Sequence, residues 1–232
     1  MGSLGDVITV VHNSEVSPAG RLVPFLQRAD VIANHVRAHR GERLPWKPDA
    51  AILLGGEMSA TNEGRHPFLR DEKRWIRELA EMDLPVFGIC LGAQLIADAL
   101  GGKAVHADRP EAGLIDLTLT EAGAADPVIG DLVSPVFTVH ADSFELPPDA
   151  ALLAESDRFP HAFRLGSTLG IQFHPEIPSS KVADWARNDL RQVIIAAEAD
   201  PDALVHQVIA TERHLEDQAN GLFERWLATL PR

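Results

Sequence analysis

The stretch from Pro85 to Ile96 constrains this chain more than any other. It reads Pro85-Val86-Phe87-Gly88-Ile89-Cys90-Leu91-Gly92-Ala93-Gln94-Leu95-Ile96. An apolar strand-like run meets a tight turn and passes at once into a helix-forming run. The turn, Gly88 to Gly92, has the glycine-x-nucleophile-x-glycine form of a nucleophile elbow. Its glycines tolerate the cramped bend and let neighbouring backbone come close. The bend also sets the Cys90 sulfur at a helix N-terminus, an electropositive position suited to a nucleophile. Cys90 is the only cysteine in the chain, so it has no partner for an intramolecular disulfide. The bland alternative is a buried cysteine acting as a small hydrophobe.

The strand-to-helix alternation extends over the N-terminal half. Residues 6–11 form a β-branched run that reads as the first strand. Residues 18–28 have helical spacing with a proline near the start, and residues 31–36 read as a second strand. The run Ala50-Ala51-Ile52-Leu53-Leu54 reads as a buried strand ending in the glycine turn Gly55-Gly56. Residues 68–82 carry Leu69, Trp75, Ile76 and Leu79 among charges, the pattern of an amphipathic helix. Alternating strands and helices imply parallel strands with crossover helices. The expected fold is therefore α/β, a three-layer sandwich whose central, mostly parallel, flavodoxin-like sheet is flanked by helices.

After Gly101-Gly102 the texture changes. Residues 103–106, 114–119, 136–140, 151–155, 161–164 and 170–173 read as short strands joined by turns. From Ser179 on, two helices are expected, over residues 182–198 and 202–230, broken at Asp200-Pro201. The expected organisation is a domain over residues 1–178 with a C-terminal helical extension, residues 179–232, packed on it.

Composition removes several function classes. The 232 residues carry a formal net charge of -13, which disfavours a nucleic-acid or anionic-membrane partner. No apolar run approaches bilayer length. Residues 1–5 lack the basic and apolar regions of a signal peptide, so the protein is expected to be cytoplasmic, in keeping with a reduced thiol. No CxxC, HExxH or GxxxxGK pattern occurs, so neither a metal nor a nucleotide cofactor is expected.

A cysteine nucleophile needs a base and a group that orients the base. The run Gly170-Ile171-Gln172-Phe173-His174-Pro175-Glu176 offers both. In the usual division of labour, Cys90 attacks a carbonyl carbon and His174 moves the proton. Glu176 then holds the imidazole and stabilises its charged form. The developing oxyanion needs donors, and the N–H groups of Leu91 and Gly56 are the candidates. In a parallel sheet both lie at the carboxyl edge, where ligands bind.

These motifs resemble the class I (triad-type) glutamine amidotransferase family. The matching blocks run in order: Gly55-Gly56-Glu57-Met58-Ser59, the elbow from Gly88 to Gln94, the stretch from Val139 to Pro147, and Phe173 to Glu176. The likeness spans residues 6–178 and is greatest to stand-alone members similar to the glutaminase part of GMP synthase. It implies a Cys90, His174 and Glu176 triad, a Gly56 and Leu91 oxyanion hole, and Gln94 holding the glutamyl group. It also implies that His140, Ala141, Asp142 and Ser143 form the loop that reads the substrate's α-amino and α-carboxylate ends. Glu111-Ala112-Gly113 is similar to a family Glu-x-Gly stretch beside the pocket. The chain departs from the family pattern at Glu57, often a proline, and at Ala141, often a glycine.

The function implied is hydrolysis of L-glutamine through a γ-glutamyl thioester at Cys90, giving glutamate and ammonia. The chain has no room for a synthase domain, which leaves a separate synthase subunit as the candidate partner. A second reading is a γ-glutamyl amide or peptide hydrolase using the same triad. A third, from another class, is a non-catalytic regulatory or binding module on the same fold.

Overall fold

A computed structural model describes residues 7–231. Residues 1–5, read above for a leader, and Asp6, expected to open the first strand, lie outside the described residues. The chain begins with β1 (Val7–His12), α1 (Leu22–Arg28), β2 (Ile32–Arg37), β3 (Ala50–Leu53) and α2 (Phe68–Glu81). Next come β4 (Val86–Ile89), α3 (Leu91–Ala99), β5 (Lys103–Ile115), β6 (Thr118–Leu119) and α4 (Glu121–Ala125). Strands β7 (Val136–Glu145), β8 (Ala151–Glu155), β9 (Pro160–Leu165) and β10 (Thr168–Ile171) follow. Helices α5 (Ser179–Arg187), α6 (Arg191–Ala196) and α7 (Pro201–Ala228) complete it.

The central sheet runs β2-β1-β3-β4-β10-β9-β8-β6. From β2 to β10 every neighbouring pair is parallel. Beyond β10 the pairs are antiparallel. Every residue of β3, β4 and β10 is buried, as expected of strands covered on both faces. Alternate residues of β4 therefore serve different cores. Phe87 packs against Phe223 and Trp226 of α7, with Phe25 of α1 beside them. Val86 faces the other way, into the layer of Ile76 from α2 and Leu95 and Ile96 from α3. The α/β, mostly parallel sheet read from the sequence is thus the one observed, and α7 supplies part of one helical layer.

The structure corrects several element boundaries. Helix α1 starts at Leu22, not at residue 18, because Gly20 takes a left-handed φ of 45° just before it. Strands β5 and β7 are far longer than the runs at 103–106 and 136–140. They pair with each other as a separate antiparallel ribbon, with a register slip between His106 and Glu111. The helix expected over 182–198 is two helices, because Asn188 leaves helical geometry at φ -130° and ψ -86°. The stop at Asp200-Pro201 stands. Asp200 caps α7 by accepting from the N–H groups of Asp202 and Ala203, and Pro201 opens the helix.

Candidate active site

Cys90 joins β4 to α3 with no loop between them. It is the residue that caps α3, at φ 53° and ψ -109°. Such backbone costs about 1–3 kcal/mol in a non-glycine residue and persists only where its surroundings enforce it. Here the Cys90 N–H donates to the Ile171 carbonyl of β10 (2.8 Å), and the Cys90 carbonyl accepts from Gln94 N–H (3.1 Å). Gly92 lets α3 press onto β3. A Cβ at that position would stand 2.3 Å from the Leu53 carbonyl oxygen. The sulfur-bearing residue is buried, with 6% of its surface exposed.

β10 runs parallel to β4, with Ile171 opposite Ile89, so the segments after both strands leave the same edge of the sheet. This brings His174 to Cys90, close enough for the two side chains to hydrogen-bond. On its other side, His174 Nδ1 lies 2.8 Å from Glu176 Oε1. The His174 N–H donates to the Phe137 carbonyl (2.8 Å), and the ring meets Trp185 edge-on at 5.3 Å. Burial works against a charged imidazole here. The Glu176 carboxylate and the Cys90 sulfur outweigh it and push His174 well above its ordinary 6.5.

Arg21 secures this loop, a role with no signature in the sequence. Its buried guanidinium donates to the carbonyls of Pro175 (3.2 Å) and Ile177, and pairs with Glu212 of α7 (2.8 Å). The Arg21 N–H donates to the Glu176 carbonyl (2.7 Å). Gly20 passes so close to that carbonyl that a Cβ would lie 2.0 Å from its oxygen.

Cys90 and His174 open onto a cavity of about 270 Å³, also lined by Gly56, Gln94, His140, Ala141 and Asp142. That volume suits a ligand of amino-acid size. Among the described residues, the Gly56 and Leu91 N–H groups find no acceptor. Leu91 itself does not line the cavity; its side chain packs under Gly56. Gln94 Nε2 donates to the Asp142 carbonyl (2.9 Å) and to Gln172 Oε1 (3.2 Å). The His140 ring is committed elsewhere, with Nδ1 on the Asp142 carbonyl (2.9 Å) and Nε2 facing Glu111 (3.2 Å). Ser143 is buried and off the cavity wall, because side chains alternate along β7. His12 sits apart from the site, against His35 (2.9 Å).

The outer wall was not legible in the sequence. Trp185, Leu190 and Val193 come from α5, α6 and the break between them, and read there as ordinary core positions. Glu57 and His106 stand at the rim. Glu57 accepts from the Ser14 hydroxyl, and His106 Nδ1 lies 2.7 Å from Asp142 Oδ1. Glu111, His140 and His161 bring potential ligand atoms within 4.8 Å of one another. They are the one such group among the described residues. No helix among those residues is long and apolar enough to cross a membrane.

Comparison with known proteins converges on one family. Residues 21–193 match the family model for glutamine amidotransferase class-I. The chain is 30% identical to a glutamine amidotransferase-like protein, YfeJ, of Salmonella typhimurium, over 95% of each. It is 35% identical to the glutamine-hydrolyzing GMP synthase of Bacillus pumilus over 67% of this chain, but spans only 29% of that protein. A crystal structure of a glutamine amidotransferase from Methylobacillus flagellatus superposes with a TM-score of 0.87 at 25% identity, covering 99% of this chain and 97% of that one.

Proposed function

This chain belongs to the class-I glutamine amidotransferase family, and from that premise we propose that it cleaves the side-chain amide of L-glutamine at Cys90. His174 takes the thiol proton as sulfur attacks the amide carbon. The resulting oxyanion is met by the N–H groups of Gly56 and Leu91. On collapse, His174 returns the proton to the departing nitrogen, and ammonia leaves a γ-glutamyl thioester on Cys90. Water then loses a proton to His174 and attacks the thioester. Glutamate leaves and the thiol regains its proton. Glu176 holds the imidazole throughout.

The observation that carries this reading is the cavity in which Cys90, His174 and Gln94 meet, with Glu176 2.8 Å behind the imidazole. Ammonia release from glutamine by the wild type, set against Cys90→Ala, tests it; equal rates in the two would remove the nucleophile from the account. The ammonia would serve a separate synthase subunit, because the GMP synthase relative is much longer than the part this chain matches.

The cavity rim supports a second reading, a γ-glutamyl amide with a larger amine. Trp185, Leu190 and Val193 form an apolar outer wall beyond the nucleophile, and Glu57 places a carboxylate where an amine leaving group would emerge. Turnover of γ-glutamyl alkylamines well above that of glutamine would favour this substrate class; a clear preference for glutamine would exclude it.

A further inference from the structure

Behind the cavity wall lies a buried polar group that the proposed chemistry does not use. Glu111 of β5 is flanked by His140 of β7 and His161 of β9. Its Oε2 lies 3.2 Å from His140 Nε2 and 2.7 Å from His161 Nε2, while its Oε1 accepts from the Ser156 hydroxyl at 2.9 Å. The register slip of β5 between His106 and Glu111 is what aims this carboxylate inward.

The spacing separates a metal ion from a hydrogen bond. Two ligands of a tetrahedral zinc ion stand about 3.3 Å apart, given bonds near 2.0 Å. The 2.7 Å contact between His161 and Glu111 is too short for that and is a hydrogen-bond length. The cluster is a set of donors gathered on a carboxylate.

The contacts continue toward the substrate. His140 Nδ1 donates to the Asp142 carbonyl at 2.9 Å, and the same carbonyl accepts from Gln94 Nε2 at 2.9 Å. Both Gln94 and Asp142 line the cavity, and Glu111 does not. The two neighbours of the His140 ring are both acceptors, so the ring satisfies both only with a proton on each nitrogen. Burial works against that charge, and the Glu111 carboxylate beside it works for it. The two imidazoles, in turn, hold Glu111 well below the ordinary carboxylate range despite its burial.

We propose that Glu111 is a positioning residue for substrate recognition: acting through His140, it fixes the Asp142 carbonyl and thereby the Gln94 carboxamide that faces the glutamyl group. This rests on the glutaminase reading above. It differs from a plain packing role, because it ties Glu111 to the glutamyl pocket and leaves the sulfur alone.

The test uses two electrophiles on Cys90. Iodoacetamide needs only the sulfur; a diazoketone analogue of glutamine needs the glutamyl pocket as well. In Glu111→Ala, labelling by the glutamine analogue is expected to slow about tenfold, with alkylation by iodoacetamide within about twofold of wild type. Glu111→Gln can still accept from Ser156 and His161 and can donate to a neutral His140, so it restores analogue labelling to within about threefold. If Glu111→Ala does not fold, His161→Asn, which removes one of the contacts holding Glu111, is expected to slow the analogue alone by about threefold. Unchanged analogue labelling in a folded Glu111→Ala or His161→Asn, or an equal fall with both reagents, would overturn the proposal. So would stoichiometric zinc in the purified protein that is lost with Glu111→Ala. A wild type that takes iodoacetamide but never the analogue is a separate outcome and strikes the glutaminase reading itself.

Discussion

Replacing Gly92 by alanine puts the elbow to a quantitative test. The new Cβ would stand 2.3 Å from the Leu53 carbonyl oxygen, 2.8 Å from its carbon and 2.9 Å from the Leu53 Cβ. None of these atoms is the far end of a flexible side chain. The closest is about 1 Å short of the separation at which ordinary contact begins, so α3 must move off β3 by roughly that distance. Overpacking of this kind costs about 1–3 kcal/mol of stability. The larger effect is on the site. Cys90 rides on the first turn of α3 through its bond with Gln94, while its own N–H is tied to Ile171 of β10. A helix displaced by about 1 Å shifts the sulfur against His174, and misplacement on that scale costs about a hundredfold in rate. The assay is kcat/KM for ammonia release, read beside the urea midpoint. Gly41→Ala is the control: it is strained by a φ of 80°, but nothing lies within 4 Å of its added Cβ. A folded Gly92→Ala with wild-type kcat/KM would refute the argument that close approach of α3 to β3 sets the nucleophile.

Two further outcomes follow from the loop after β10. His174 is held above 6.5 in the folded protein, so its contribution to stability is complete below 6.5 and is lost as pH rises through the higher folded value. Glu176→Gln removes a main cause of that rise, so stability above neutral pH should fall less steeply than in the wild type; identical slopes in urea melts across that range would contradict the pairing. Arg21→Ala leaves the buried carbonyls of Pro175 and Ile177 without their donor and should destabilise the protein by about 2–4 kcal/mol, with kcat falling as well. A loss under about 0.5 kcal/mol by chemical denaturation would show that the clamp is idle.

The parts of this molecule that could be read from sequence are those where local chemistry decides the structure. β3 and β4 are short apolar runs closed by glycines, and both faces of each are buried, so composition alone announces them. The elbow is legible because the cramped strand-to-helix bend calls for the small residues Gly88 and Gly92. The triad loop is legible because a histidine, a rigid proline and a carboxylate stand in a row. β5 was missed at full length because its middle, Asp108-Arg109-Pro110-Glu111, carries charges and a proline, which a two-stranded ribbon tolerates and a central strand does not. The break between α5 and α6 has no glycine or proline to mark it. It is set by tertiary packing, which seats Trp185 against His174 and Leu190 on the cavity wall. Arg21 and Glu111 act through contacts far along the chain, at carbonyls and imidazoles that no local pattern points to.

The central claim is a covalent one, that the glutamyl group passes through Cys90. Quenching the protein under turnover with glutamine and measuring the intact mass reads it directly, with hydroxylamine as the trap. The account predicts a γ-glutamyl adduct on the peptide containing Cys90, absent in Cys90→Ala and released by hydroxylamine as the γ-glutamyl hydroxamate. Glutamine hydrolysis that persists in Cys90→Ala, or turnover with no hydroxylamine-sensitive adduct on that peptide, would contradict it.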